Sequence, residues 1–254
     1  MSLAPTASHG ARRGIIQRLL PATPTGAVTA KEIRLWLRDP VRVTCLLIAV
    51  IVGVGVGLVP RLVSGTSHLL PFSGPLTVVI AGACATNLYG GDGTSLWLTI
   101  MNPHAVPADV RGRQFGWLFL VAPFTIAETV ILTLWSGQHA LWPWAVGLLL
   151  ALIGGAAGLL PLASLVSVQP LDDGGNPTPM WSLKVHIALI VVSLTAAPAT
   201  ALLVLGTLDR HAAVSWLGVA VGVLTAVACT IVGAAVAARR LRERQIDVLD
   251  SLIT

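Results

Sequence analysis

Few side chains in this sequence could do chemistry within its long apolar stretches, and Glu128 is the clearest of them. It is a single carboxylate inside an apolar stretch, where an ionisable group is a candidate for handling a proton or a substrate. His186 lies near the end of another such stretch. One carboxylate and one histidine are less polar machinery than a proton- or sodium-driven carrier usually has. The simpler interpretation is a hydrogen-bonded Glu128 between helices and a structural His186.

The motifs of common enzymes are absent from the sequence. It contains no His-Glu-x-x-His zinc motif and no Gly-x-Ser-Gly serine-protease motif. The glycine-rich stretch 90–95 is similar to a phosphate loop, but it lacks the Gly-Lys-Ser/Thr ending that contacts phosphates, and no predicted strand precedes it. We therefore expect a chain that is not an enzyme, does not hydrolyse ATP itself and holds no cofactor or metal.

Composition indicates which elements position these side chains. The chain is 55% hydrophobic and 11% charged, whereas a soluble domain has about 25% charged residues. Its apolar residues fall into blocks, and about 20 helical residues cross about 30 Å of hydrocarbon. Six blocks are long enough to do so: 41–59, 70–88, 115–135, 141–168, 183–206 and 214–237.

These blocks predict an all-α, polytopic membrane protein. Backbone groups in hydrocarbon must bond within their own segment, which favours helices, and no block has the period-two alternation of a barrel strand. We predict six transmembrane helices in a multi-pass protein of the plasma membrane.

The basic residues predict the orientation. All of the 16 lysines and arginines except Arg61 and Arg210 fall on the side of the two termini. Because the cytoplasmic side of a membrane protein is enriched in Lys and Arg, we expect both termini in the cytoplasm. The excess of basic residues is therefore explained by the orientation of the chain and by attraction to anionic lipid. Nucleic acid is not needed as a partner to explain it.

The segments outside the blocks divide the chain further. Residues 1–29 are predicted to be a disordered cytoplasmic lead, residues 30–237 a membrane domain preceded by a helix in the interface, and residues 238–254 a cytoplasmic amphipathic helix. The interfacial helix should place Ile33, Trp36 and Leu37 on one face, away from the charged side chains, and end at Pro40. Its alternative is an ordinary basic flank. The three cysteines, all within blocks, are expected to be free thiols.

The connection 87–113 is the most distinctive cytoplasmic segment. It begins with the glycine-rich turn, after which Thr94 or Ser95 can cap a short helix over 94–100 that Pro103 stops. Arg111 and Arg113 then lead into the third span. A short helix held between two spans would transmit a partner's motion to both, and the alternative is a solvated connector.

Two motifs resemble those of export-type (type 2) permease subunits of ATP-binding-cassette (ABC) transporters, in particular actinobacterial antibiotic-exporter permeases. The first is Lys31-Glu-Ile-Arg34 with Arg38-Asp-Pro40 before the first span. The second runs from Asn87 through Gly90, Asp92-Gly93 and Pro103 to Arg111-Gly-Arg113. The resemblance covers residues 30–237, mostly as topology. It departs from the family where the connection 207–213 is too short for a re-entrant hairpin, unless Pro198 breaks the fifth span early.

The resemblance implies a non-catalytic membrane subunit that works with cytoplasmic ABC ATPase subunits, which hold ATP and Mg, and with a second permease copy. It implies export of a hydrophobic or amphipathic compound, such as a drug or antibiotic, by alternating access. Glu128, as an ionisable residue in a mostly apolar interior, is the candidate residue of the substrate path. Alternatives are a proton-coupled carrier that uses Glu128 and an intramembrane enzyme. The residues it implies in contact with the ATPase are Lys31, Glu32, Arg34, Asp92, Gly93, Thr94, Trp97, Pro103, Asp109, Arg111 and Arg113.

Overall fold

A computed structural model describes residues 20–89, 101, 105–166, 183–208 and 212–243. This part of the chain is helical and contains no strand, which confirms the all-α fold class. Short 3-10 turns at Leu70–Phe72 and His139–Leu141 precede α3 and α5. In chain order the helices are α1 (Pro24–Arg38), α2 (Pro40–Ser64), α3 (Ser73–Cys84), α4 (Val106–Ser136), α5 (Trp142–Val166), α6 (Leu183–Leu194), α7 (Ala197–Leu208) and α8 (Ala212–Glu243).

The boundary between α1 and α2 lies where the sequence predicted it. Asp39 ends α1, and its carboxylate accepts a hydrogen bond from the Val41 amide at 2.9 Å, so that the same residue caps the start of α2. Pro40 is tolerated there because the first amides of a helix have no partner within it. The start of α1 differs from the prediction: Thr23 caps a helix that begins at Pro24, within the segment expected to be disordered.

Several helices are long and apolar enough to cross a membrane. Four meet that description in the chain that the structure describes, and the bent pair α6–α7 makes up to five. The predicted second span is shorter than expected, because the helical segment Leu70–Cys84 has too few residues to cross hydrocarbon unaided. The predicted fifth span is broken at Thr195 and Ala196, where α6 and α7 meet at a bend of 49°.

Two helices extend past their apolar blocks. α4 begins at Val106, with Pro107 in its first turn, so Asp109, Arg111 and Arg113 lie on a helix and not on the loop that the sequence predicted. α8 continues without interruption to Glu243, where a separate helix from Ala238 was expected. The predicted glycine-rich turn and short loop helix lie outside the described residues, as do residues 244–254.

α5 is the central helix of the bundle. Of its most apolar stretch 72% is buried, against 17% for α2 and for α8, which lie at the edges. Glycines bring α5 and α8 together: a Cβ on Gly158 would collide with the Cys229 carbonyl, and one on Gly233 with the Gly158 carbonyl. This is the close contact that small residues permit between membrane helices.

Candidate functional site

Two clusters of polar side chains connect α4 to earlier parts of the chain. The first, which we call the ionic junction, consists of Glu32, Asp39, Arg42, Asp109 and Arg113. The second, which we call the hydroxyl seam, lies further along α4, and its residues are Ser73, Thr77, Glu128, Thr129 and Thr133. Together they contain most of the buried polar side chains of the described residues.

Arg113 is the centre of the ionic junction. One terminal nitrogen, Nη1, donates to Glu32 Oε1 at 2.9 Å, and its Nε donates to Asp109 Oδ2, also at 2.9 Å. A further bond of 3.3 Å joins Nη2 to Asp109 Oδ1. The three side chains are at most 6% exposed. The junction therefore joins α1 to α4 through charge-assisted hydrogen bonds shielded from solvent, in which one guanidinium faces two carboxylates.

The same guanidinium also contacts the backbone and a side chain in the segment that follows α3. Nη1 of Arg113 donates to the Leu88 carbonyl at 3.0 Å, and the Tyr89 ring lies 4.2 Å from the guanidinium carbon, within cation–π range. The Tyr89 amide donates to the Ser164 hydroxyl of α5 at 2.9 Å. Non-helical backbone after α3 is thus satisfied by side chains of α4 and α5.

Arg42 at the start of α2 completes the junction. It lies 3.5 Å from Glu32 Oε2 and 3.4 Å from Asp39, and its guanidinium carbon is 5.2 Å from the Trp36 ring. Glu32 therefore faces an arginine on each side, one from α2 and one from α4. Three helices meet at this one carboxylate.

Glycines on α4 allow α1 to approach it. A Cβ on Gly112 would collide with Val28, and one on Gly116 would collide with the Cβ of Glu32. The Thr29 hydroxyl donates to the Gly112 carbonyl at 3.2 Å. This contact explains why Glu32 and Trp36 point inward, whereas the sequence predicted that Glu32 would lie with the solvent-facing charges.

The opposite side of α1 is basic. Lys31, Arg34 and Arg38 lie along one stripe with Ala27 and Leu35, and together these residues line a shallow groove. The spacing of these residues, three or four apart, places them on one helical face. No acidic side chain is among them, because Glu32 is buried on the other face.

The residues predicted to contact an ATPase divide into three sets. Lys31 and Arg111 are exposed and Arg34 is half-buried, so their side chains reach the surface. Glu32, Asp109 and Arg113 are buried in the ionic junction, and there they bind one another. The remaining residues lie outside the part of the chain that the structure describes: Asp92, Gly93, Thr94, Trp97 and Pro103.

Glu128 is the only acidic side chain of the hydroxyl seam. It is 7% exposed, and its Oε1 accepts a hydrogen bond of 3.0 Å from the Thr77 hydroxyl of α3. Its other oxygen, Oε2, is buried and has no hydrogen-bond partner. Glu128 is thus a hydrogen-bonded residue between helices, as its simpler interpretation held, but only half of its carboxylate is satisfied.

Glycines of α2 and α3, which have no side chain, leave notches in the helix surface that the hydroxyl groups of the seam occupy. A Cβ on Gly53 of α2 would collide with the Thr77 hydroxyl, and a Cβ on Gly74 of α3 would collide with the Thr129 hydroxyl. Gly57 has the same relation to Ser73. The small residues that the sequence marks on the first span therefore admit polar groups between α2, α3 and α4.

A separate apolar cleft lies beside the bend between α6 and α7. It has a volume of about 750 Å³ and includes Val79 of α3, Ile190 and Leu194 of α6 and Thr200 of α7. Ser193 and Thr200 supply its hydroxyl groups. Glu128 does not line it, so the predicted substrate-path residue and this cleft are different places in the structure.

Comparison with protein-family models, with curated proteins and with solved structures gives no match for this chain. The function is therefore argued from the residues and their geometry.

The ionic junction is the feature that sequence reasoning missed. A signal was present: Thr29, Glu32, Ile33 and Trp36 recur three or four residues apart, which places Glu32 on the apolar face of α1. Its partner could not be found in the same way, because the apolar block of the third span starts after Arg113. His186, in contrast, is exposed on α6.

Proposed function

We propose that this chain is the membrane-spanning permease subunit of an ATP-driven exporter. In this proposal it has six spans and cytoplasmic termini, with α3 and the bent pair α6–α7 each serving as one span. It moves a hydrophobic or amphipathic compound out of the cell by alternating access. Separate cytoplasmic ATPase subunits and a second permease copy complete the transporter.

The ionic junction is the observation that best supports the proposal. A subunit driven by a separate motor needs a surface element whose movement is passed to the spans. α1 has this property, since Glu32 binds Arg113 of α4 at 2.9 Å and lies 3.5 Å from Arg42 of α2. A displacement of α1 would move two long apolar helices together, because packed elements are not continuously deformable.

The basic stripe of α1 suits the partner surface. It lies on the face of α1 opposite the buried Glu32, and Lys31, Arg34 and Arg38 give it three positive charges. Such a stripe complements an acidic groove on a soluble protein. The partner contact is thereby assigned to Lys31, Arg34 and Arg111, and the buried Glu32, Asp109 and Arg113 hold the element that bears it.

The cleft beside α6 and α7 suits an apolar cargo and a second copy. It is open, its volume is within the range of pockets for drug-sized molecules, and its lining residues are apolar except for Ser193 and Thr200. The exposed side chains of Ile187, Ile190 and Leu194 lie on the same helix. A path between two copies would be lined by such residues.

Transport into inverted vesicles tests the proposal. The chain should co-purify with a soluble ABC ATPase from its own cells, and inverted vesicles that contain both proteins should accumulate a lipophilic cationic dye when ATP is added. The variant Lys31→Gln/Arg34→Gln/Arg38→Gln should lose both the accumulation and the ATPase that co-purifies in mild detergent. Arg61→Gln, at the far end of α2, is the matched control. Dye uptake that does not depend on ATP and is lost when the proton gradient is dissipated would contradict the proposal of an ATP-driven exporter.

Labelling in intact cells tests the orientation separately. In a background without Cys45, Cys84 and Cys229, a cysteine at Thr66, in the exposed turn after α2, should react with an impermeant maleimide. One at Arg111 should react only after the cells are opened. The reverse pattern would invert the orientation and remove Arg111 from the reach of a cytoplasmic ATPase.

A further inference from the structure

We propose that the hydroxyl seam binds a single monovalent cation, a proton or Na⁺, at the free oxygen of Glu128. The proposal does not depend on how the chain is energised or on what it transports. It follows from the buried polar atoms between α2, α3 and α4 that have no hydrogen-bond partner.

Four such atoms belong to the seam. They are Glu128 Oε2 and the hydroxyl oxygens of Ser73, Thr129 and Thr133. Ser73 is 1% exposed and the two threonines are not exposed at all. Buried polar atoms are nearly always satisfied, and four unsatisfied ones in one part of the bundle call for an explanation such as a bound ion or water. Lipid cannot supply a partner, so the missing one must be enclosed in the seam.

The hydroxyl groups of the seam also differ in their hydrogen bonding from other threonines on the helices of this chain. Thr125, Thr200 and Thr230 each donate to a backbone carbonyl four residues earlier, at 2.8–2.9 Å. That local bond is the usual way in which a threonine on a helix satisfies its own hydroxyl. Thr129 and Thr133, on the same helix as Thr125, do not form it. Their oxygens are left available to a ligand.

The ligand should be positive, because no charge in the described part of the bundle balances Glu128 at the seam. α3 and α5 have no acidic or basic side chain. A carboxylate without a counter-ion is expensive inside a membrane. The charged groups of the helices packed around it lie towards the helix ends: Arg42 and Arg61 of α2, Asp109, Arg111 and Arg113 of α4, and Arg239, Arg240, Arg242 and Glu243 of α8. The thiols are those of Cys45 in α2, Cys84 in α3 and, in the middle of α8, Cys229.

The ligand should also be monovalent and hard. One carboxylate neutralises one positive charge, and the described residues contain no group of three His, Cys, Asp or Glu side chains that could hold a metal ion. Carboxylate and hydroxyl oxygens are ligands of hard cations. A proton on Oε2 would satisfy the same carboxylate and could in turn be donated to a neighbouring hydroxyl.

Thermal unfolding in lipid nanodiscs distinguishes the two cations. The midpoint of the wild type should be compared with that of Glu128→Gln, a neutral variant of the same shape, in NaCl and in choline chloride of equal ionic strength. If Na⁺ binds, the wild type gains stability over the variant as Na⁺ replaces choline at constant pH. If a proton binds, it gains stability as the pH falls in choline alone. Each tenfold rise in the free concentration of the cation that binds changes the folding equilibrium constant by up to about tenfold.

Two hydroxyl variants complete the test. Thr129→Val should weaken the response to the cation, whereas Thr125→Val should leave it unchanged because the Thr125 hydroxyl already binds the Val121 carbonyl. This pair also replaces Glu128→Gln if that variant does not fold. A difference between wild type and variants that stays constant across Na⁺ and pH would overturn the proposal, and a buried water alone would give that result.

Discussion

The ionic junction and the hydroxyl seam lie on the same helix, roughly 20 Å apart at about 1.5 Å per residue, and they satisfy a buried acid in different ways. At the junction Glu32 faces Arg113 and Arg42, and Asp109 receives two further bonds from Arg113. At the seam Glu128 receives one bond, from the hydroxyl of Thr77. The acids near the start of α4 have protein counter-ions, and Glu128, in the second half of α4, has none among the described residues.

The helices around a buried charge determine whether that charge has a fixed partner in the protein. The junction is formed by the middle of α1 and the starts of α2 and α4, and its charges are held by fixed partners, which suits an element that must transmit force. The seam extends from Ser73, the first residue of α3, to Thr133 in the last turn of α4, and glycines of α2 and α3 leave room there for small hydroxyl groups. A carboxylate there is free to exchange a partner, which suits a binding site.

Removing the central arginine should have the largest effect. Arg113→Ala leaves Glu32 and Asp109 buried without their shared partner, which should cost about 3–5 kcal/mol. The unfolding midpoint in nanodiscs would measure the loss. Arg111→Ala, two residues earlier and exposed, should leave the midpoint nearly unchanged. Equal losses in the two variants would contradict the description of the junction as a buried ion network.

Adding a methyl group at a glycine that contacts the seam should have the next largest effect on stability. A Cβ on Gly74 would collide with the Thr129 hydroxyl and lie 2.7 Å from the Thr125 carbonyl, so Gly74→Ala should cost about 1–3 kcal/mol by overpacking. Gly55→Ala is the matched control, since a Cβ there has no atom within 4 Å. The same unfolding measurement applies. A stabilised Gly74→Ala variant would mean that α3 and α4 are further apart than described.

The one hydrogen bond that Glu128 receives should contribute less to stability. Thr77→Val removes the donor to Oε1 and keeps the side-chain shape, and hydrogen bonds between membrane helices are typically worth about 0.6 kcal/mol and at most about 1.7. The loss should be visible as a small shift in the midpoint, and it should vanish when Thr77→Val is made in a Glu128→Leu background, which has no acceptor for the hydroxyl. Strictly additive shifts would argue against the bond.

An exposed ion pair with the spacing of Asp109 and Arg113 should show no effect. Arg239 and Glu243 are also four residues apart on one helix, but their side chains are 79% and 57% exposed. Solvent screens such a pair, so Glu243→Gln should leave the unfolding midpoint unchanged at physiological salt. A clear loss in this variant would show that spacing, and not burial, sets the strength of these pairs.

Much of the fold could be predicted from the sequence, because hydrocarbon thickness and helix geometry restrict what an apolar block can be. Pro40 marked the boundary between α1 and α2. Helix ends were harder. An apolar block stops where charges begin, yet α4 extends back to Val106 because Arg113 and Asp109 satisfy each other inside the protein.

The sites were less predictable for a related reason. Glu128 stands out as a charge in an apolar block, but which of its oxygens is bound depends on Thr77, which lies in another block 51 residues away. Lys31 and Glu32 are adjacent in sequence, and one is exposed while the other is buried. The face that α1 turns inward is set by the notches at Gly112 and Gly116, which only the packed structure makes visible.

The shortness of α3 has a consequence for the response to lipid. Leu70, Leu88 and Tyr89, at the two ends of this segment, are buried by neighbouring helices, and Arg113 and Ser164 bind the backbone where the helix stops. Lipid chains therefore do not meet the ends of α3. Bilayers of thicker or thinner hydrocarbon should strain the peripheral helices α2 and α8, while α3 stays at one depth, set by its neighbours and not by the acyl chains.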